Sequence, residues 1–414
     1  MNMPTSEMPL PSVTDAVRAC LTAIHARNKT LQAFLHVADA SALARAQHLD
    51  ALAPAARGPL HGTLLAVKET FDVAGMPCPW GAALHQGRVP NDTAALVAQL
   101  EAAGAVVVGI TRSTEYAIAA APPTVHPDDP SRSPGASSSG SGAAVGAGLV
   151  PLALGSQTIG SVIRPAAYCA AVGFKPSLGR YPLGGMMPLS LALDHPGLLA
   201  DRVARVMAVD ALFAAASVPW QGLCWIPAWF PEPVDADVEA CLARAWARLT
   251  GLDIPCRASS VPTMVAEVEE NVTQQLLTHD IAALHGDGLR AGAAKVSEPL
   301  MALVRTGEGI SEAAYQAALT QQAGIAERLQ ALLRPGEIGV TCATVGVAPP
   351  LAEGSGSRAP QRIWTLAGMP TLTLPVGRVG GLPVGLQLVG RRGEDRAVLA
   401  AAARVEALGA IGDA

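Results

Sequence analysis

Apolar positions along the chain recur at helical and strand spacings that alternate. Residues 12–52 carry Ala, Leu and Arg at intervals of three and four through AVRACLTAIHAR and ADASALARAQHLDAL, which predicts helix. TLLAVKETFD follows the turn at GPLHG and reads as a short buried strand. DTAALVAQLEAAG predicts a helix closed by Gly104, and the β-branched AVVVGIT predicts a strand after it. AAVGAGLVPLALG and VGFKPSLG continue the alternation, and ARVMAVDALFAAA predicts another helix. LCWIPAW, PVDADVEACLARAWARLTG and DIPCRAS repeat strand, helix, strand. Residues 260–334 predict mainly helix, 337–347, 371–377 and 384–389 predict strands, and 394–408 predicts a closing helix. This is the rhythm of an α/β sheet covered by helices. With no linker-like break or internal repeat, residues 1–414 are expected to form one domain with a helical insertion.

Composition narrows the class. Half of the 414 residues are apolar and 15% are charged, against about 25% charged in an average soluble domain. That balance excludes a disordered chain. A net charge of −5 gives no electrostatic footprint for nucleic acid or an anionic membrane. The 31 residues Ser133–Ile163 contain no Asp, Glu, Lys or Arg. They do not read as a membrane span, because they open with SPGASSSGSG and are interrupted by Pro151 and Gln157. The first residues, MNMPTSEMPLPSVTDAV, lack a basic region followed by an apolar core. Seven Cys without a C-x-x-C pair suggest neither disulfides nor a zinc ribbon. A cytoplasmic protein without metal or cofactor is expected.

Three segments carry possible chemistry. Only four of the 29 basic residues are Lys, and one of them, Lys68, sits between LLAV and ETFDVAG. A desolvated Lys can release its proton and act as a base, whereas Arg cannot; the plainer reading is a lysine snorkelling from a strand end. Pro134–Gly148 (PGASSSGSGAAVGAG) is rich in small residues that expose backbone N–H groups, or is simply a polar loop entering a tightly packed helix. Gly155–Ala166 (GSQTIGSVIRPA) has the glycine spacing of a phosphate loop, but Ser161 occupies the place of its Lys. Ile159 and Ile163 stand where a nucleophile elbow needs Gly. What remains is Ser161 in an uncharged turn, followed by Arg164. The nine His form no convincing set; His61, His126 and His195 read as structural, and His279 and His285 lie on divergent helix faces. Glu69 and Asp72 suggest local charge balance for Lys68.

These segments, in this order, resemble the amidase signature family. The resemblance rests on AVKETFDVAG, SPGASSSGSGAAVGAG, LALGSQTIGSVIRPAAYCAAVGFKP, ALDHPGLLADRV and the closing WTLAGMPTLTLPVG…GLPVGLQLVG. It covers most of the chain and is weakest across 215–335. It implies one large mixed β-sheet covered by helices on both faces, a catalytic core over 68–200, a variable, mostly helical region over 215–335, and closing strands and helix over 336–414.

By the same resemblance Ser161 is the nucleophile, Ser137, preceded by a cis peptide bond, relays the proton, and Lys68 is the base. The N–H groups of Thr158, Ile159, Gly160 and Ser161 are implied as an oxyanion hole. A hydroxyl needs such an adjacent base to attack an amide at neutral pH. Ile159 and Ala136 depart from the family pattern, which often has Gly at both places; a β-branched Ile159 would be strained if that position required positive φ.

SVIRPAAYC is most similar to the malonamidase-like small-substrate amidases, which implies that Arg164 binds a substrate carboxylate; a structural pairing of Arg164 is the alternative. The expected function is an amidohydrolase releasing ammonia or an amine from a small amide, as a homodimer without nucleic-acid or membrane partners. Two other readings stay open: a glutamine-hydrolysing A-type subunit of an aminoacyl-tRNA amidotransferase, and a binding protein that kept the fold without turnover.

Overall fold

The computed structural model describes residues 12–213, 218–251 and 253–409. The expectations that fall on 1–11, 214–217, 252 and 410–414 lie outside the described residues.

Among the described residues, eleven strands form one sheet: β1 (Phe34–Val37), β2 (Leu64–Lys68), β3 (Val106–Thr111), β4 (Leu152–Gln157), β5 (Val172–Lys175), β6 (His195–Ala200), β7 (Gly222–Trp225), β8 (Cys256–Ala258), β9 (Glu337–Cys342), β10 (Thr371–Val379) and β11 (Leu382–Val389). Their order is β1-β3-β2-β4-β6-β5-β10-β11-β9-β7-β8. Pairing is parallel through β3-β2-β4 and β9-β7-β8, and antiparallel across the centre from β4 to β9. The sheet is therefore mixed, as expected.

Alternation along the strands sends side chains into two apolar layers. Leu65 and Val67 of β2 enter the layer beneath the helices Ala95–Ala102, Val203–Asp210, Ala236–Thr250 and Asp395–Glu406. Ala66, between them, faces the layer built by Val13–Leu31, Asp39–Asp50 and Ser139–Gly146. Helices thus cover both faces, which is why the strands read as continuous apolar runs in the sequence. A third cluster gathers Thr263–Ala291, Glu298–Glu308 and Glu312–Leu332 against Ala359–Leu366.

One stretch departs from the sequence expectation. Residues 12–52 are not continuously helical: β1 interrupts them, pairing antiparallel with β3 from Phe34↔Thr111 to Val37↔Gly109. Gln32 ends the first helix in the left-handed region, and Asn28 both donates to Phe34 O and accepts from Phe34 N. A four-residue strand fixed by a partner about seventy residues away leaves too little period to read locally.

Candidate active site

β2 ends at Lys68, and its side chain is fully buried. Nζ donates to Ser137 Oγ at 2.8 Å, Ser156 Oγ at 2.9 Å and Ser138 Oγ at 3.1 Å. Burial drives its pKa from 10.5 down to about 7, with Glu69 and Asp194 opposing the shift. A neutral amine has two N–H groups and one lone pair, so one of the three hydroxyls must then turn and donate to it.

The three hydroxyls come from two neighbouring segments. Ser137 and Ser138 precede the helix Ser139–Gly146, and the Ala136–Ser137 peptide is cis. Ser156 is the penultimate residue of β4, beside β2 in the sheet. Close approach here needs glycine: a Cβ on Gly155 would meet Ser138 Oγ at 2.8 Å.

The chain leaves β4 at Gln157 and turns through Thr158–Ser161 into the short helix Ile163–Tyr168. Among the described residues, none of the backbone N–H groups of 158–161 donates to another backbone or side-chain acceptor. The turn is instead braced from outside. Gln157 Oε1 accepts from the N–H groups of Val162 and Ile163 at 2.8 and 3.0 Å, and Thr365 Oγ1 donates to Ile159 O at 2.6 Å. Thr158 Oγ1 donates to Asp194 Oδ1 at 2.6 Å, while Leu189 N and Ser190 N hold Asp194 Oδ2. Burial raises the Asp194 pKa to about 6 against these hydrogen bonds. Ile159 is absent from the residues of positive φ, so its β-branch carries no left-handed strain.

Ser137, Thr158, Ile159, Ser161 and Arg164 line one cavity of about 280 Å³, together with Gly354–Gly356 and Arg358 from the far end of the chain. Ser161 is 8% exposed. Arg164 is buried, and its fork holds two backbone carbonyls: Nη1 donates to Gly356 O at 2.6 Å and Nη2 to Ala136 O at 2.7 Å. Its Nε has no partner among the described residues, and burial lowers its pKa to about 10.

The charge balance expected around Lys68 takes a different form. Glu69 accepts from Ser113 N and Gly81 N, and Asp72 forms a two-pronged pair with Arg88. Of the His singled out, His126 Nε2 meets Tyr168 O at 2.8 Å and His195 Nδ1 meets Leu193 O at 2.7 Å, both buried against backbone. Sequence reasoning passed over Ser138, Ser156 and Asp194. Ser138 and Ser156 lie inside the uncharged run, and Asp194 inside the LDHPG segment, but their pairings join positions far apart in the chain. No group of three or more His, Cys, Asp or Glu that could hold a metal occurs among the described residues. No helix among them is long and apolar enough to cross a membrane.

Comparison with known proteins places this architecture. The family model described as Amidase matches residues 15–221. The A subunit of a glutamyl-tRNA(Gln) amidotransferase from Anaeromyxobacter sp. (strain K) is 30% identical over 457 aligned positions, covering 95% of this chain and 92% of the relative. A crystal structure of an amidase superposes with a TM-score of 0.86 at 30% identity, covering 96% of each chain. An inhibitor-bound structure from work on a vestigial protein complex and the origins of an s-triazine catabolic enzyme superposes with a TM-score of 0.88 at 25% identity, over 97% of this chain and 96% of that one. Fold and site define an amidohydrolase on the amidase signature architecture. The chain belongs to the amidase family.

Proposed function

We propose that the protein hydrolyses a small amide through a Ser161 acyl-enzyme, with cis-linked Ser137 and Lys68 moving the proton. Ser161 Oγ attacks the amide carbonyl as its proton passes to Ser137 Oγ and that of Ser137 to neutral Lys68. The oxyanion is met by the amides of Thr158, Ile159, Gly160 and Ser161. As the C–N bond breaks, the proton returns through Ser137 to the departing nitrogen, because an amide anion is too basic to leave unprotonated. Water then repeats the sequence on the ester and frees the acid.

The observation that carries this reading is the fully buried Lys68, its pKa brought to about 7 by burial and its Nζ 2.8 Å from the hydroxyl of Ser137, which lines the same cavity as Ser161. A base works best when its pKa lies near the operating pH. The free N–H groups of 158–161 support the oxyanion-hole assignment; one such donor is worth roughly 3–4 kcal/mol of barrier. Arg164 contributes a fixed positive charge to the carboxylate end of the substrate, in the manner of the malonamidase-like small-substrate amidases, and a homodimer is the proposed assembly. The test is ammonia release from malonamate and simple neutral amides: Ser161→Ala abolishes it, and a fluorophosphonate probe labels Ser161 in the wild type only. Full activity in Ser161→Ala overturns the assignment.

A second reading, glutamine hydrolysis within an amidotransferase assembly, is favoured by the similarity to the Anaeromyxobacter protein along nearly the whole chain. It requires partner chains for tRNA contact. Purification of an active homo-oligomer without other chains excludes it.

A further inference from the structure

Among the described residues, two cationic side chains, Arg164 and Arg358, line the cavity that holds Ser161, and no acidic side chain does. The two differ in what they already hold. Arg164 is buried with both Nη atoms on backbone carbonyls. Arg358 precedes the helix Ala359–Leu366, is exposed, and makes no side-chain hydrogen bond or ion pair among the described residues. Glu270, whose charge acts on Arg358, hydrogen-bonds instead to Arg362 Nη1 at 3.1 Å, and Glu269 receives Arg362 Nε at 2.7 Å and Nη2 at 2.9 Å.

A cavity lined by one sign of charge raises the local concentration of the opposite sign. A free guanidinium presents a planar fork matched to a carboxylate, which an ammonium cannot reproduce. The same lining acts against part of an α-amino acid amide: its ammonium would approach two like charges with no carboxylate to receive it.

We infer that Arg358 is the side chain that grips an anionic group on the substrate, so that the enzyme selects short amides ending in a carboxylate and bearing no ammonium. Arg164, its two Nη atoms held by Gly356 O and Ala136 O, adds its fixed charge to the same end of the cavity without a free Nη, and Arg358 supplies the hydrogen bonds that choose the substrate. This rests on the Ser161 reading for its chemistry but not for its binding.

The experiment has two arms. In the first, ammonia release from succinamate, butyramide and glutamine is compared in the wild type, Arg358→Met and Arg358→Lys. The succinamate-to-butyramide ratio of kcat/KM falls tenfold or more in Arg358→Met, mostly through KM, and falls less in Arg358→Lys. Wild type favours succinamate over glutamine. Equal losses on succinamate and butyramide, or glutamine turned over as well as succinamate, overturn the inference. In the second arm, succinate binding is measured by calorimetry in Ser161→Ala with and without Arg358→Met. Binding weakens at least tenfold on removing Arg358, and unchanged affinity overturns the inference. Because this arm needs no turnover, loss of the catalytic assignment leaves its result readable.

Discussion

Lys68 and Lys175 are both fully buried, and burial is the largest cause bringing each to a pKa of about 7, with Arg392 adding to the shift at Lys175 and nearby carboxylates opposing it at both. Their surroundings separate them. Lys68 ends β2 among three hydroxyls, one of which lines the cavity. Lys175 ends β5 with Nζ donating to Met369 O at 2.5 Å and Pro176 O at 3.2 Å, both carbonyls that can only accept. A depressed pKa makes a proton available, but only an exchangeable partner makes its transfer useful. Lys68 has hydroxyls that can donate back, and Lys175 does not. Under the proposed mechanism, a perturbed buried lysine is a functional signal when its neighbours can carry a proton onward.

The strongest way to break this comparison is to remove each amine. Lys68→Ala is expected to lower kcat/KM by roughly a thousandfold, within the range for losing a general base, with steady-state ammonia release as the measurement; normal turnover reassigns the base. Lys175→Met is expected to leave kcat per folded molecule within about twofold while lowering the urea midpoint, because two buried carbonyls lose their donor at about 1–3 kcal/mol each. A collapse of kcat in folded Lys175→Met would dissolve the distinction.

A smaller effect sharpens it. Asp194 raises the Lys68 pKa through its charge and holds Thr158 Oγ1. Asp194→Asn is therefore expected to move the acid limb of kcat/KM below its wild-type position near pH 7, with about a tenfold loss of kcat from the slackened turn. An unmoved limb would mean that Asp194 acts only as a brace.

The smallest effect concerns stability. Each lysine has a folded pKa near 7 and an ordinary value of 10.5, so between these pH values the unfolded chain binds more protons. Stability from these groups therefore rises with pH across that window and is level below it. Lys175→Met is expected to flatten part of the rise in urea midpoint between about pH 7 and 9.

Much of this was legible in the sequence, for local reasons. The alternation of helix and apolar run predicts the α/β sheet, the scarcity of Lys points to Lys68 and the uncharged, Gly-flanked turn to Ser161, whereas Ser137 is singled out only by the resemblance to the amidase signature family. β1 was not legible because four residues carry too little period and their register is set by β3. The roles of Ser138, Ser156 and Asp194 were hidden because each depends on a partner from another strand or turn. Arg164 was legible as an arginine near Ser161, but its hold on Ala136 O and Gly356 O required the fold, since Gly356 lies 192 positions away.

The cavity is assembled from two distant parts of the chain. Lys68, Ser137 and Ser161 lie within the matched segment 15–221, whereas Gly354, Ser355, Gly356 and Arg358 lie beyond it. On the proposed roles, the reacting groups and the selecting Arg358 are written in separate stretches of the polypeptide, free to diverge at different rates. A descendant could keep its hydrolytic apparatus intact and acquire a new diet by rewriting a handful of neighbouring codons.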